Sequence, residues 1–296
     1  MHPYDVDADN GRTTVRVLVR RLTHLTTTRL VPSLHLIGKT VVLDLTRLQF
    51  VEPFGLVYLY LYVRRLLTLG AQAVELHIPR WGGVGTYLRR MELCDLVEQD
   101  PRVRVLPRRG ISFRSDLRDR LIELSVHPLE HEDDAYQLAQ QLLDLAIYDR
   151  REDLKHLQEI LEFSLSEVIA NAVVHSSRAA GPRNVIVAAQ TYEESRVSLA
   201  IADEGIGIPE RLRLHGIVEA PLPDVDAIQK ALEPMISTRP GGGGMGLTTL
   251  SDRVREIGQH LTIRSGRGQV TVLRGGKNNR QGTCDPLPGT IVEIAW

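Results

Sequence analysis

Little in this chain points to a polyanion, a disulfide framework or a membrane. Its 36 basic and 37 acidic side chains leave a formal charge of -1, so there is no net field to hold nucleic acid, and nucleic acid is not an expected partner. Only four of the basic residues are lysines, Lys39, Lys155, Lys230 and Lys277, and this arginine bias carries no functional weight. The two cysteines, Cys94 and Cys284, have no metal-ligand spacing and suggest no disulfide scaffold, which fits a reducing compartment. The first residues, MHPYDVDADNGR, are acidic where a secretory leader would be basic and then apolar. The longest apolar stretch, Phe54 to Val63, is too short to span lipid. A soluble cytoplasmic protein is the expectation. No repeat of solenoid period is evident, and no GxxxxGK[ST] loop is present.

What is present is apolar periodicity in both halves of a 296-residue chain, which favours two modest domains over one. In the first, Thr14 to Val19, Leu34 to Ile37 and the buried run Thr40 to Leu45 read as strands. Pro53 opens a helix that stops at Gly70. Ala73 to Ile78 is the next strand, Gly85 to Val97 an amphipathic helix, and Arg102 to Leu106 a closing strand. This β-α-β-α-β order implies an α/β unit with helices packed on a small sheet. Arg108, Arg109 and Gly110 mark a boundary, so the domains are expected at 1–109 and 112–296.

The second half restarts with a strand at Leu121 to Val126, then helices at Asp133 to Tyr148 and Asp153 to His175. Strands follow at Asn184 to Gln190 and Arg196 to Ala202, joined by the turn YEES. A proline-rich segment, Ile208 to Pro240, leads to the glycine run and a helix at Leu247 to Ile257. Leu261 to Ser265, Val270 to Arg274 and Thr290 to Ala295 complete an antiparallel-looking sheet.

Three segments of this half carry chemistry: Glu167 to His175 (EVIANAVVH), Asp203 to Gly207 (DEGIG) and Gly241 to Leu247 (GGGGMGL). Glu167 and Asn171 stand one helical turn apart and project from one face. An Asn carbonyl is a hard oxygen ligand suited to magnesium, and a carboxylate one turn earlier can deprotonate a nucleophile. Spacing alone also fits a polar pair on an amphipathic helix. Asp203 ends the alternating strand Val197, Leu199, Ile201. A carboxylate there can accept a hydrogen bond from an exocyclic amine, and Gly205 and Gly207 let backbone pass beside a flat ring; an ordinary acidic turn is the other reading. The glycines at 241 to 244 and 246 run directly into a helix, where free amides and absent side chains suit phosphate. The immediate return of the apolar pattern Leu247, Leu250, Val254, Ile257 argues against a mere linker.

In this order the three segments resemble those of the GHKL superfamily of ATPases and kinases, over about Ser112 to Trp296. The resemblance implies an α/β sandwich with a mixed sheet and helices on one face, and ATP with Mg2+ as cofactors. It places magnesium on Asn171, the general base on Glu167 and the adenine contact on Asp203. Gly205 and Gly207 would border the base, and Gly242, Gly244 and Gly246, with Met245 and Leu247 between and after them, would face the phosphates. Thr290 matches the late Gly-Thr threonine near adenine, and Ile208 to Pro240 would be a mobile lid, with Thr238 and Arg239 near the terminal phosphate or simply solvated.

Within the superfamily, SEVIANAVVHSS is most similar to anti-sigma-factor serine kinases of the partner-switching type, including His175, which would touch phosphate or make a structural hydrogen bond at the helix end. The first domain resembles a STAS module over about Thr14 to Pro107, through VVLDLTRLQFVEPFGL and RRMELCDLVEQD. Where STAS antagonists carry a phosphorylatable serine before Gly-Leu, this chain has Phe54 before Gly55 and Leu56. A docking or sensing module follows. The resemblance therefore implies a serine/threonine kinase acting on a partner protein such as a STAS-type antagonist, a sigma factor or another regulator, with a homodimer as the assembly. An ATPase whose nucleotide cycle gates dimerisation or partner binding, and a silent ATP sensor, stay open. His131 lies only 40 residues before Asn171, too near for a phosphoacceptor in a separate dimerisation helix pair.

Overall fold

The computed structural model describes residues 4–9, 11–27, 38–80, 83–107, 121–129, 132–147, 158–175, 183–192, 196–238, 245–276, 278–281, 284 and 286–296. The expected strand at Leu34 to Ile37 and the polar His131 lie outside them. The chain divides into two compact units, Met1–Leu117 with Glu123–Ser125, and Arg118–Ile122 with Val126–Trp296.

The first unit is built on a five-stranded sheet. A hairpin of β1 (Tyr4–Asp9) and β2 (Arg12–Val17) turns at Gly11, whose φ of +83° is one that glycine adopts without strain. Strands β4 (Thr40–Asp44), β6 (Ala73–His77) and β7 (Val103–Leu106) then add in parallel, in the order β1-β2-β4-β6-β7. A two-residue pairing of β3 (Arg21–Leu22) with β5 (Phe50–Val51) flanks the short helix α1 (His24–Thr27). Helix α2 (Pro53–Thr68) starts on its proline and is buried at every position from Pro53 to Val63, as its lack of a polar face requires. The helix expected over Gly85 to Val97 is broken into α3 (Gly83–Arg90) and α4 (Leu93–Val97). The break is Glu92, held in the left-handed region at φ 58°, which no hydrophobic pattern signals.

The second unit carries a seven-stranded sheet in the order β13-β12-β11-β14-β10-β9-β8, formed by β8 (Leu121–Leu129), β9 (Arg183–Thr191), β10 (Val197–Asp203), β11 (His260–Gly266), β12 (Gly268–Leu273), β13 (Asn278–Gln281) and β14 (Leu287–Ala295). Every pairing from β13 to β9 is antiparallel. Helices α5 (Glu132–Ile147), α6 (Gln158–His175) and α9 (Gly246–Glu256) lay their apolar positions on one face. Leu165, Val168, Ile169 and Ala172 of α6 recur at helical spacing and meet Val187, Leu199, Ile201, Ile263 and Val292, which alternate along the strands. Burying each such aliphatic side chain contributes roughly 1.5–3 kcal/mol, and these contacts fix where α6 stands over the sheet.

The proline-rich segment is not irregular. Residues 208–238 contain α7 (Ile208–Leu214) and α8 (Asp224–Ala231). Pro209 lies in the first turn of α7 and Pro223 caps α8, positions at which proline's missing N–H and fixed φ favour a helix start. The pair has a small core of its own, Leu212, Val218 and Ala227. Asp224 ties it down: Arg213 donates to one carboxylate oxygen at 2.6 Å and the Arg267 backbone N–H to the other at 2.7 Å.

Candidate functional site

The polar residues of the second unit converge where α6, the start of α9 and the ends of β10 and β14 meet α7. Asn171, Asp203, Gly207, Thr238, Gly246, Leu247 and Thr290, though far apart in sequence, all line one cavity of about 90 Å³. A single water needs only about 10–15 Å³, so this space is ligand-sized rather than a packing void. Its remaining walls are largely apolar, including Val168, Ala172, Ile201, Leu212 and Ile236, as in most small-molecule sites.

Helix α6 presents Asn171 to the cavity, while Glu167 one turn earlier packs against α9. A β-carbon built on Gly246 would lie 2.3 Å from the Glu167 β-carbon, so only glycine allows the two helices to approach this closely. From α9, the Thr248 hydroxyl reaches the Leu232 and Glu233 carbonyls, both at 3.2 Å, fixing the first turn beside the end of α8.

Asp203 is the last residue of β10 and pairs in register with Thr290 of β14. It is 5% exposed. Burial pushes its carboxyl up to about 7, against the opposing pull of two backbone donors, Gly205 and Thr290, and with a smaller push from neighbouring Glu204. The Gly205 N–H donates to Oδ1 at 2.7 Å.

Around this carboxylate is a hydroxyl network that the motifs did not announce. Ser265, near the end of β11, accepts the Ile208 N–H at 2.8 Å and lies 3.1 Å from the Gly289 carbonyl and 3.0 Å from the Thr290 hydroxyl. Gly207, at φ +84°, has room for no side chain, because a β-carbon would lie 2.7 Å from Ser265 Oγ. Gly289, at φ +76°, is tighter still: its β-carbon would lie 1.8 Å from the Asp203 carbonyl oxygen. Ser265 and Gly289, together with Arg211, which lines the cavity from α7, are site residues that sequence reasoning passed over. The only written signal was the glycine immediately before Thr290.

The other expected residues divide clearly. Gly205 serves Asp203 through its N–H rather than lining the cavity. Met245, just before α9, is 46% exposed and is not a cavity wall. Arg239, Gly242 and Gly244 lie outside the described residues, as does the side chain of His175 at the end of α6.

Residues 156–283 match the family model of the histidine kinase-, DNA gyrase B- and HSP90-like ATPases. The chain is also similar to the anti-sigma F factor of Bacillus licheniformis, at 30% identity over 95 residues, which are 31% of this chain and 53% of that protein. The anti-sigma F factor of Priestia megaterium is 28% identical over 104 residues, 34% of this chain and 59% of its own. The chain therefore spans about half the length of the curated relatives it matches. No helix among the described residues is long and apolar enough to cross a membrane. Residues 156–283 of this chain are thus a domain of the histidine kinase-, DNA gyrase B- and HSP90-like ATPase family, and part of the chain is similar in sequence to anti-sigma F factors.

Proposed function

We propose that this chain is a Mg-ATP-dependent serine/threonine protein kinase of the anti-sigma-factor type, acting on a separate partner protein. The observation that carries the reading is a cavity lined together by Asn171, Asp203, Gly246 and Thr290, with Glu167, itself not a lining residue, packed against Gly246. Those side chains suit the ligand. A buried carboxylate at Asp203 offers an acceptor to the adenine amine, and the bare Gly246 backbone at the start of α9 offers close approach to phosphate. The Asn171 carboxamide oxygen would hold magnesium, which when bound neutralises phosphate charge. Glu167 takes the proton from the acceptor hydroxyl as its oxygen bonds to the γ-phosphorus, and the bond to the β-phosphate oxygen breaks to release ADP.

The first unit we read as a STAS-like module that docks or senses rather than accepts phosphate. Its parallel strands flanked by helices support this, and Phe54, where an acceptor hydroxyl would stand, is fully buried in α2. The partner is a STAS-type antagonist, a sigma factor or another regulator, and the names of the relatives support that choice.

Incubation with γ-labelled ATP and cell extract tests the reading. A labelled acceptor protein is expected, with Glu167→Ala lowering transfer by about 10² to 10⁴ and Asn171→Ala abolishing nucleotide binding. Phosphate release with no labelled acceptor would instead establish the ATPase reading, in which the nucleotide cycle gates assembly. Unchanged turnover in Glu167→Ala would remove the base from this residue.

A further inference from the structure

Among the described residues lining the cavity, Arg211 is the one cation and Asp203 the one carboxylate. They do not pair with each other, and no other carboxylate of the described residues forms an ion pair with Arg211. The contrast lies two residues away: Arg213, on the same helix, is bound to Asp224 at 2.6 Å and lies 3.6 Å from Glu210. Arg211 instead reaches from Nε to the Thr238 hydroxyl at 3.5 Å, the long limit of a hydrogen bond. A half-buried guanidinium beside apolar walls, with no counter-ion among the described residues, is in an environment that an anionic ligand improves. Its position is not accidental, because α7 is held by its own core and by Asp224.

The cavity thus has polarity. Asp203 supplies an acceptor, and Arg211, beside Thr238, supplies a cation. Of the parts of an adenine nucleotide, the base carries no negative charge and the phosphate chain carries all of it. We infer that Arg211 is the phosphate-recognising residue of this site, reading the polyphosphate while Asp203 reads the base. The inference rests on the nucleotide reading proposed above and gives α7 a purpose in it: to deliver one guanidinium to the ligand.

The test is a ladder of ligands, adenosine, AMP, ADP and ATP with magnesium, measured by calorimetry on the full chain, with competition for the weakest. Arg211→Gln is expected to weaken the phosphorylated ligands about ten- to hundredfold, as loss of a charge-assisted hydrogen bond does, and to leave adenosine unchanged. The rung at which the loss first appears identifies the phosphate that is held. Arg211→Lys should recover part of the affinity through charge alone, and matched thermal unfolding of the variants excludes a folding defect as the cause. Equal weakening of adenosine would overturn the inference, placing the guanidinium over the base or in the frame, and so would unchanged affinity for every ligand. If wild type bound no adenine compound, the nucleotide reading itself would fail, an outcome visible before any variant is made.

Discussion

Replacing Asp203 by Asn should stabilise the ligand-free protein at alkaline pH while damaging its binding of ATP. The carboxyl is pushed from 3.8 up to about 7, chiefly by burial. A folded-state value above the unfolded one means that this group's contribution is fully present below pH 3.8 and is lost as pH rises through 7. At pH 8 the ionised carboxylate then costs the fold on the order of 4 kcal/mol relative to pH 3. Asn keeps an oxygen for the Gly205 N–H, which donates at 2.7 Å, and never ionises. Urea unfolding of both proteins between pH 5 and 8 should therefore show wild type losing stability relative to the variant as pH rises, with other titrating groups cancelling in the difference. Calorimetry should show the variant binding ATP about ten- to hundredfold more weakly, the loss of a hydrogen bond to a charged group of roughly 1.5–3 kcal/mol. Wild type should prefer ATP to GTP, because guanine presents a carbonyl where adenine presents its amine. The variant should narrow that preference, since its amide can donate to the carbonyl. Parallel stability profiles together with equal ATP affinity would refute both the buried-carboxylate argument and the adenine contact.

Two further substitutions probe the frame. Gly246→Ala forces α9 away from Glu167, since the added carbon would lie 2.3 Å from the Glu167 β-carbon; overpacking of this kind costs about 1–3 kcal/mol, and the variant should lose turnover by displacing the base, read as a fall in kcat alongside a lower unfolding midpoint. Phe54→Ser restores a hydroxyl where the STAS pattern has one, but the position is fully buried in α2; the expected result is destabilisation of roughly 3–5 kcal/mol with no phosphate on residue 54 by mass spectrometry, and a phosphorylated residue there would contradict the burial argument.

The chemistry-bearing residues that could be read from the chain are those whose meaning is local. Glu167 and Asn171 are one turn apart on one helix, Asp203 closes an alternating strand, and Gly246 abuts a returning apolar pattern; helix and strand periodicity alone relate each to its neighbours. The major elements were legible for the same reason. The exceptions were governed by backbone conformation or by polar strands: the turn at Gly11, the break at Glu92, and β13, whose sequence NNRQ has no apolar alternation. Likewise the helices that begin at Pro209 and Pro223 were not legible, because the residues that reward helix formation there, Leu212, Val218 and Ala227, meet only in three dimensions.

Ser265, Gly289 and Arg211 belong to the site solely through contacts with residues distant in sequence, 57 positions in the case of the bond from Ile208 to Ser265. Register decides the first two, since the pairing of Asp203 with Thr290 brings Gly289 against the Asp203 backbone and β11 lays Ser265 beside both, while the packing of α7 decides Arg211. Sequence alone determined which residue types and which local periods were available, because those are properties of neighbouring side chains. Tertiary structure alone decided which of them share a cavity and which carboxylate loses its water, because burial and proximity arise only when strands pair and helices close over them.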